Sequence, residues 1–217
     1  MIDFYKLWHT ELTSEDQKKA PGDLIILNDL IYDKKLSRVW PYLQEYRIHF
    51  ANIPIKQNYI GFISANINTK FHNEMNFLIE QRLQAQDYQN LDLSPIVISQ
   101  KKWKNQAFNF HLGIDKYIHQ YLQLANIPVT ILEKEIVYCN SFITKKEIYL
   151  KTKEVFCQNV LQLFEDCNYE LNFHGGAHDE IRKGGCLCER LWGLTLRHFS
   201  STFSSSLTHI MWSNMVQ

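Results

Sequence analysis

The chain lacks any stretch approaching the roughly 18 consecutive apolar residues that a membrane-spanning helix needs. Its opening MIDFYKLWHTE carries acids early and has no apolar leader core. Both absences point to a cytoplasmic protein whose membrane contact, if it has one, is peripheral to the inner membrane. An excess of one charge is also missing, with 23 Lys plus Arg against 23 Asp plus Glu. No global field therefore draws in nucleic acid or an anionic surface. The densest basic run, Lys101, Lys102 and Lys104, reads as solvated surface. The cysteines number five, an odd count, and without a leader they point to free thiols in a reducing compartment. There is no repeat, no low-complexity linker and no shift of composition. One domain over residues 1–199 is expected, with the Ser-rich residues 200–217 as a tail.

What is present is enough apolar material for a real core, at 45% hydrophobic and 13% aromatic over 217 residues. The segment Asn58 to Ser64, NYIGFIS, is apolar on both faces and predicts a buried central strand. Residues 1–9 satisfy neither period and leave strand or helix open. Leu24 to Leu27 reads as a strand or a buried turn after the Pro21-Gly22 break, and Leu91 to Ser99 as a further strand. Helices are predicted over Ser37 to Phe50 with Pro41 in the first turn, over Asn73 to Gln86, and over Gly113 to Ala125. Thr144 and Glu147 have capping-box spacing, so a helix is expected from Lys145 to about Asp166, with Thr152, Val155, Phe156, Val160 and Leu163 on its apolar side. A last helix is expected from Arg190. Strands alternating with helices give a single α/β domain.

The stretch NFHGGAHDEIRKGGCLCERLWGLTLRHF, Asn172 to Phe199, is richer in chemistry than core packing asks for. Glycines let backbone N–H groups approach a ligand, Arg182 and Arg190 offer forked donors for phosphate or carboxylate, and Asp179, Glu180 and Glu189 offer bases or metal-ligand oxygens. A plainer reading is a loop and helix start held by an internal Arg–Glu ion pair. A second alternative is a structural zinc site at His174, His178, Cys186 and Cys188, although Cys-x-Cys is not a common zinc spacing. Asn66 and Asn68, just past NYIGFIS, either face a crevice at the strand's carboxyl end or bond their own backbone in a turn.

Four landmarks stand in order: LQEYRIHFANIP then NYIGFIS; LDLSPIVISQKKW; CNSFITKKEIY; and RKGGCLCERL. Together they resemble the GT-A-type glycosyltransferases of bacterial capsule and lipopolysaccharide synthesis, over about two thirds of the chain. The resemblance implies a mixed, mostly parallel sheet flanked by helices. It also implies transfer of a sugar from a nucleotide-sugar donor, a UDP-sugar first among candidates, to a glycan or lipid-linked acceptor. On this reading Arg182, Lys183, the Gly184-Gly185 amides, Arg190 and His174 hold the donor, with the loop leading into a helix N-terminus. Asp179 or Glu180 then deprotonates the acceptor, with Glu189 as second choice. His9 is a candidate for meeting the nucleotide base. The chain departs from the family at Ser64-Ala65-Asn66-Ile67-Asn68, where many members carry His-Tyr-Arg-Arg, and it has no Asp-x-Asp to hold Mn²⁺ or Mg²⁺. Asn66 and Asn68 keep that spacing, but amides bind divalent ions more weakly than carboxylates. An inactive relative that binds a sugar or nucleotide is the remaining alternative.

Overall fold

The computed structural model describes residues 1–31, 33–65, 79–81, 83–84, 91–92, 111–134, 140–174 and 180–200, with backbone alone for Asp16, Leu91, Asp92 and Glu180. Its centre is a five-stranded sheet in the order β2-β1-β3-β5-β4, built from β1 (Ile2–Trp8), β2 (Asp23–Ile26), β3 (Tyr59–Ser64), β4 (Leu91–Asp92) and β5 (Phe142–Lys145). β1 runs parallel to β2 and to β3, whereas β5 runs antiparallel to both β3 and β4. The fold is thus α/β with a mixed, mostly parallel sheet and flanking helices.

NYIGFIS is the middle strand, and the reason is visible in its burial: Ile60, Phe62 and Ile63 are wholly buried, so both faces are covered. A Cβ on Gly61 would lie 2.4 Å from the Phe4 ring, which occupies the space a side chain there would need. β1, left open by the sequence, is a strand because its alternation puts Tyr5 and Leu7 on the core face. Its start is tied to the chain before β3. The Asp3 carboxylate accepts the Lys56 and Gln57 N–H groups at 2.6 and 2.7 Å, and the Tyr5 hydroxyl donates to the Pro54 carbonyl.

Between β1 and β2 lies α1 (Glu15–Lys19). Ser14 and Gln17 form a capping box at its start, and Lys6 donates to the Lys18 and Ala20 carbonyls at its end. The helix expected over residues 37–50 is broken. α2 (Trp40–Leu43), with Pro41 in its first turn, gives way at Gln44, whose φ of 49° is left-handed, to a 3-10 stretch Gln44–His49. Of the helix expected over 73–86, residues 79–81, 83 and 84 are helical and the rest fall outside the described residues, as do residues 93–99 of the expected strand, Lys101 to Lys104 and residues 201–217 of the tail.

α3 (Asp115–Leu124) matches its expected span within two residues at the start and one at the end. α4 (Lys146–Asp166) buries Thr152, Phe156, Val160 and Leu163 as its apolar spacing required. Its expected cap is a correction. The N-cap is Lys145 with no side-chain cap bond, because Thr144 is committed to β5, paired with Ile60 and fully buried. α5 (Glu180–Phe199) begins ten residues before the expected start at Arg190. α4 and α5 cover the Tyr5–Phe62–Phe142 face through a continuous aromatic cluster in which Phe62 meets Tyr149 and Phe142 meets Trp192. Burying each such side chain contributes about 1.5–3 kcal/mol.

Candidate functional site

The chain leaves β1 toward β2 on one side and returns past it to β3 on the other, so strand order reverses between β1 and β3. In open α/β sheets a crevice forms beyond the carboxyl ends of the strands at such a reversal. Here the loops leaving that edge are bound to one another. The Asn28 N–H, after β2, donates to the His9 carbonyl at 3.2 Å, and the Ala65 N–H, after β3, donates to the Leu7 carbonyl at 2.9 Å. Arg47 reaches the same edge from the 3-10 stretch. Its Nε donates to the Trp40 carbonyl at 3.0 Å and an Nη to Asn28 Oδ1 at 3.3 Å, with the guanidinium over the Trp40 ring. Because β5 is antiparallel, its beginning lies at this edge too, and Ser141 Oγ accepts the Ser64 N–H at 3.4 Å. His9, Asn28, Arg47, Ser64 and Ser141 therefore form a polar rim from five separate stretches of chain, with the two serines buried in it.

Beneath the rim, Asn140 joins the 3-10 stretch to the core. Its Nδ2 donates to the Glu45 carbonyl, and its Oδ1 lies 3.0 Å from His49 Nε2. An amide oxygen accepts, so His49 Nε2 carries the proton and Nδ1, 3.3 Å from the Tyr149 hydroxyl, accepts from it. Loss of hydration in full burial holds the His49 pKa well below the usual imidazole value, which keeps it neutral, and the Asn140 bond only partly opposes this. Burial likewise pushes the Cys157 thiol, which donates to the His49 carbonyl, up to about 12. Neither group is placed to act as a nucleophile or base toward solvent.

The residues singled out from the sequence are distributed unevenly. Asn66, Asn68, His178 and Asp179 lie outside the described residues, and Glu180 is described only as the first residue of α5. The glycine-loosened loop is overturned. Gly184 and Gly185 sit inside α5, where a helical N–H points along the axis to the carbonyl four residues back rather than at a ligand. Their lack of side chains serves packing: a Cβ on Gly184 would stand 2.6 Å from Tyr42 Cβ, and one on Gly185 2.8 Å from Gln44 Cγ. The anion-stabilising end of the helix accordingly lies at residues 180–183, where Arg182 is exposed and Lys183 half-buried near the Phe173 ring.

Glu189 and Arg190 are joined by a short ion pair, with the two side chains 18% and 7% exposed, and Arg190 also donates to the Cys186 carbonyl. The plainer reading of an internal Arg–Glu pair holds for these two residues. By helical spacing, Arg182, Cys186, Glu189 and Gly193 fall along one flank of α5, away from the flank that meets Tyr42. His174 is exposed, and its N–H donates to the Leu112 carbonyl. Cys186 and Cys188 are two apart on a helix, roughly 200° around the axis, and burial raises both thiols. Among the described residues no group of three or more His, Cys, Asp or Glu is arranged to hold a metal, and no helix is long and apolar enough to cross a membrane.

Comparison with models of known families, with curated proteins and with solved structures found no match. Asn28, Arg47 and Ser141 on the rim, and Asn140 beneath it, carry no sequence signal that groups them, since the fold alone brings them together.

Proposed function

We propose that the chain is a nucleotide-sugar-dependent glycosyltransferase that moves a sugar onto a glycan or lipid-linked acceptor in surface polysaccharide synthesis. The observation that carries this reading is the polar rim at the β1/β3 reversal, which adds a cation, Arg47, and an imidazole, His9, to the ordered landmarks of the resemblance. In this reading the donor lies across the carboxyl ends of β1 and β3, with its base toward His9 and Asn28 and its diphosphate toward Arg47. Arg182 and Lys183, in the first turn of α5, add charge from the helix end that favours anions. The base for the acceptor hydroxyl is Asp179 or Glu180 rather than Glu189, whose carboxylate already accepts from Arg190. A divalent ion would neutralise the diphosphate if bound, but the described residues gather no carboxylates for it, and no step is assigned to it.

Two observations favour a second reading, in which the chain binds a donor without turnover: the acidic pair of the family is replaced by the amides of Asn66 and Asn68, and Glu189 is internally paired. Calorimetry with UDP-, GDP- and CMP-sugars, followed by assays of donor hydrolysis and sugar transfer, separates the two. Binding with turnover supports the transferase, binding alone supports the non-catalytic form, and no binding to any donor removes both.

A further inference from the structure

The 3-10 stretch Gln44–His49 has little to hold its own shape. Its hydrogen-bond geometry is poorer than an α-helix's, and it starts from Gln44, whose left-handed backbone is costly for a residue other than glycine. Yet Arg47 stands on it in a defined place, its Nε on the Trp40 carbonyl and an Nη on Asn28. A buried side chain from outside the stretch brackets it. The Asn140 amide, 1% exposed, donates to the Glu45 carbonyl at 3.3 Å, two residues before Arg47, and faces His49 Nε2 at 3.0 Å, two residues after it. The amide cannot turn over, because its oxygen would then meet the Glu45 carbonyl and set one acceptor against another. The next residue, Ser141, accepts the Ser64 N–H, so the same dipeptide also holds the carboxyl end of β3.

We infer that Asn140 is a positioning residue, which fixes the 3-10 stretch on both sides of Arg47 and so sets the guanidinium against the carboxyl end of β3. The argument is one of geometry. Glu45 and His49 are the second neighbours of Arg47 in either direction, and a single planar amide binds both, so neither side of the stretch can shift without breaking a bond to the other. Through Ser141 the same anchor carries β3, which makes the spacing between Arg47 and the strand end a property of two adjacent residues. Buried beneath the rim, Asn140 acts on a ligand only through Arg47. Its effect on donor binding rests on the nucleotide-sugar reading, whereas its hold on Arg47 does not.

The first test needs no donor. In the full wild-type chain the Arg47 Nε–H, identified by its loss in Arg47→Ala, should exchange slowly with water in NMR spectra, and Asn140→Leu should speed that exchange about tenfold or more. The second is a double-mutant cycle, read by calorimetry with whichever of the UDP-, GDP- and CMP-sugars the wild-type protein binds. Arg47→Ala should raise the Kd about 10- to 100-fold and Asn140→Leu about fivefold, but in the Arg47→Ala background Asn140→Leu should change it by less than about twofold. A residue that only stabilises the fold would weaken binding equally in both backgrounds. If Asn140→Leu does not fold, Asn140→Asp takes its place in both tests, since it keeps an oxygen toward His49 and loses the donor to Glu45. Unchanged Nε–H exchange, or equal losses in the two backgrounds, would overturn the inference. A wild-type protein that binds no donor removes the nucleotide-sugar reading and leaves the exchange measurement to decide the role of Asn140. Donor binding with unchanged exchange does the reverse.

Discussion

The imidazole of His49 lies flat on the indole of Trp192, ring centroids 3.4 Å apart and planes within 3°. One ring comes from the broken 3-10 stretch that carries Arg47, and the other from the middle of α5. Phe62, Phe142, Tyr149 and Phe156 surround the imidazole, so the pair joins the chain behind the polar rim to the sheet and to both large helices.

This burial makes stability depend on pH. The His49 pKa is lowered on folding, so the unfolded chain binds a proton that the folded chain does not, and the stabilisation is full above the unfolded value of about 6.5 and lost as pH falls below it. The expected slope is up to about 1.4 kcal/mol per pH unit in that window. Urea unfolding at a series of pH values measures it. His49→Leu should unfold more easily at pH 8 and lack this component of the slope. An unchanged slope in the variant would assign the dependence to other groups.

Trp192→Ala should cost about 3–5 kcal/mol, because it removes the largest fully buried side chain and strips the facing surface from His49. Trp192→Phe should cost less while changing the near-ultraviolet circular dichroism. No measurable cost for Trp192→Phe would mean that the indole contributes nothing beyond an aromatic ring.

Gly184→Ala and Gly185→Ala should differ although both add a methyl group to the same helix. Alanine is the better helix former by about 1 kcal/mol, but at 184 the new Cβ meets Tyr42 backbone and Cβ atoms at 2.6–2.9 Å, which a side-chain rotation cannot relieve. A loss of about 1–3 kcal/mol is expected there. At 185 the obstacle is the flexible Gln44 side chain, and the change should be near neutral. Thermal melts of both variants decide the point.

Among the acids, Asp179→Asn and Glu180→Gln should abolish sugar transfer with little change in melting temperature. Glu189→Gln should instead destabilise the fold by about 1.5–3 kcal/mol, because it removes the carboxylate that accepts from the buried Arg190. Full transfer activity in both of the first two variants removes those residues from the base role.

How far the sequence reached follows from the range of the forces involved. NYIGFIS announced itself because a middle strand must be apolar on both faces, and α4 because its apolar positions recur along one side. The start of α5 was hidden by Arg182-Lys183-Gly184-Gly185, which reads as loop chemistry until Tyr42 is known to press against it and supply the packing that offsets two helix-weakening glycines. Thr144 matched a capping motif, yet pairing with Ile60 in the sheet overrode it. Of the rim, His9 and the carboxyl end of NYIGFIS were legible, but Asn28, Arg47 and Ser141 were not. His49 meets Asn140 across 91 positions, and Ser64 meets Ser141 across 77, only because β5 enters antiparallel beside β3.

That late insertion of β5 has a consequence for biosynthesis. The first three strands leave the ribosome early, but the neighbour that completes the middle one is separated from it by nearly 80 positions, and the indole that roofs the sheet comes some 50 positions later still. Until then Tyr5 and Phe62 lack the cover that α4 and α5 supply, and incompletely covered apolar surface is the condition in which nascent chains recruit chaperones or stick to one another. Closure of the sheet is therefore expected to wait until the C-terminal third of the chain has been synthesised.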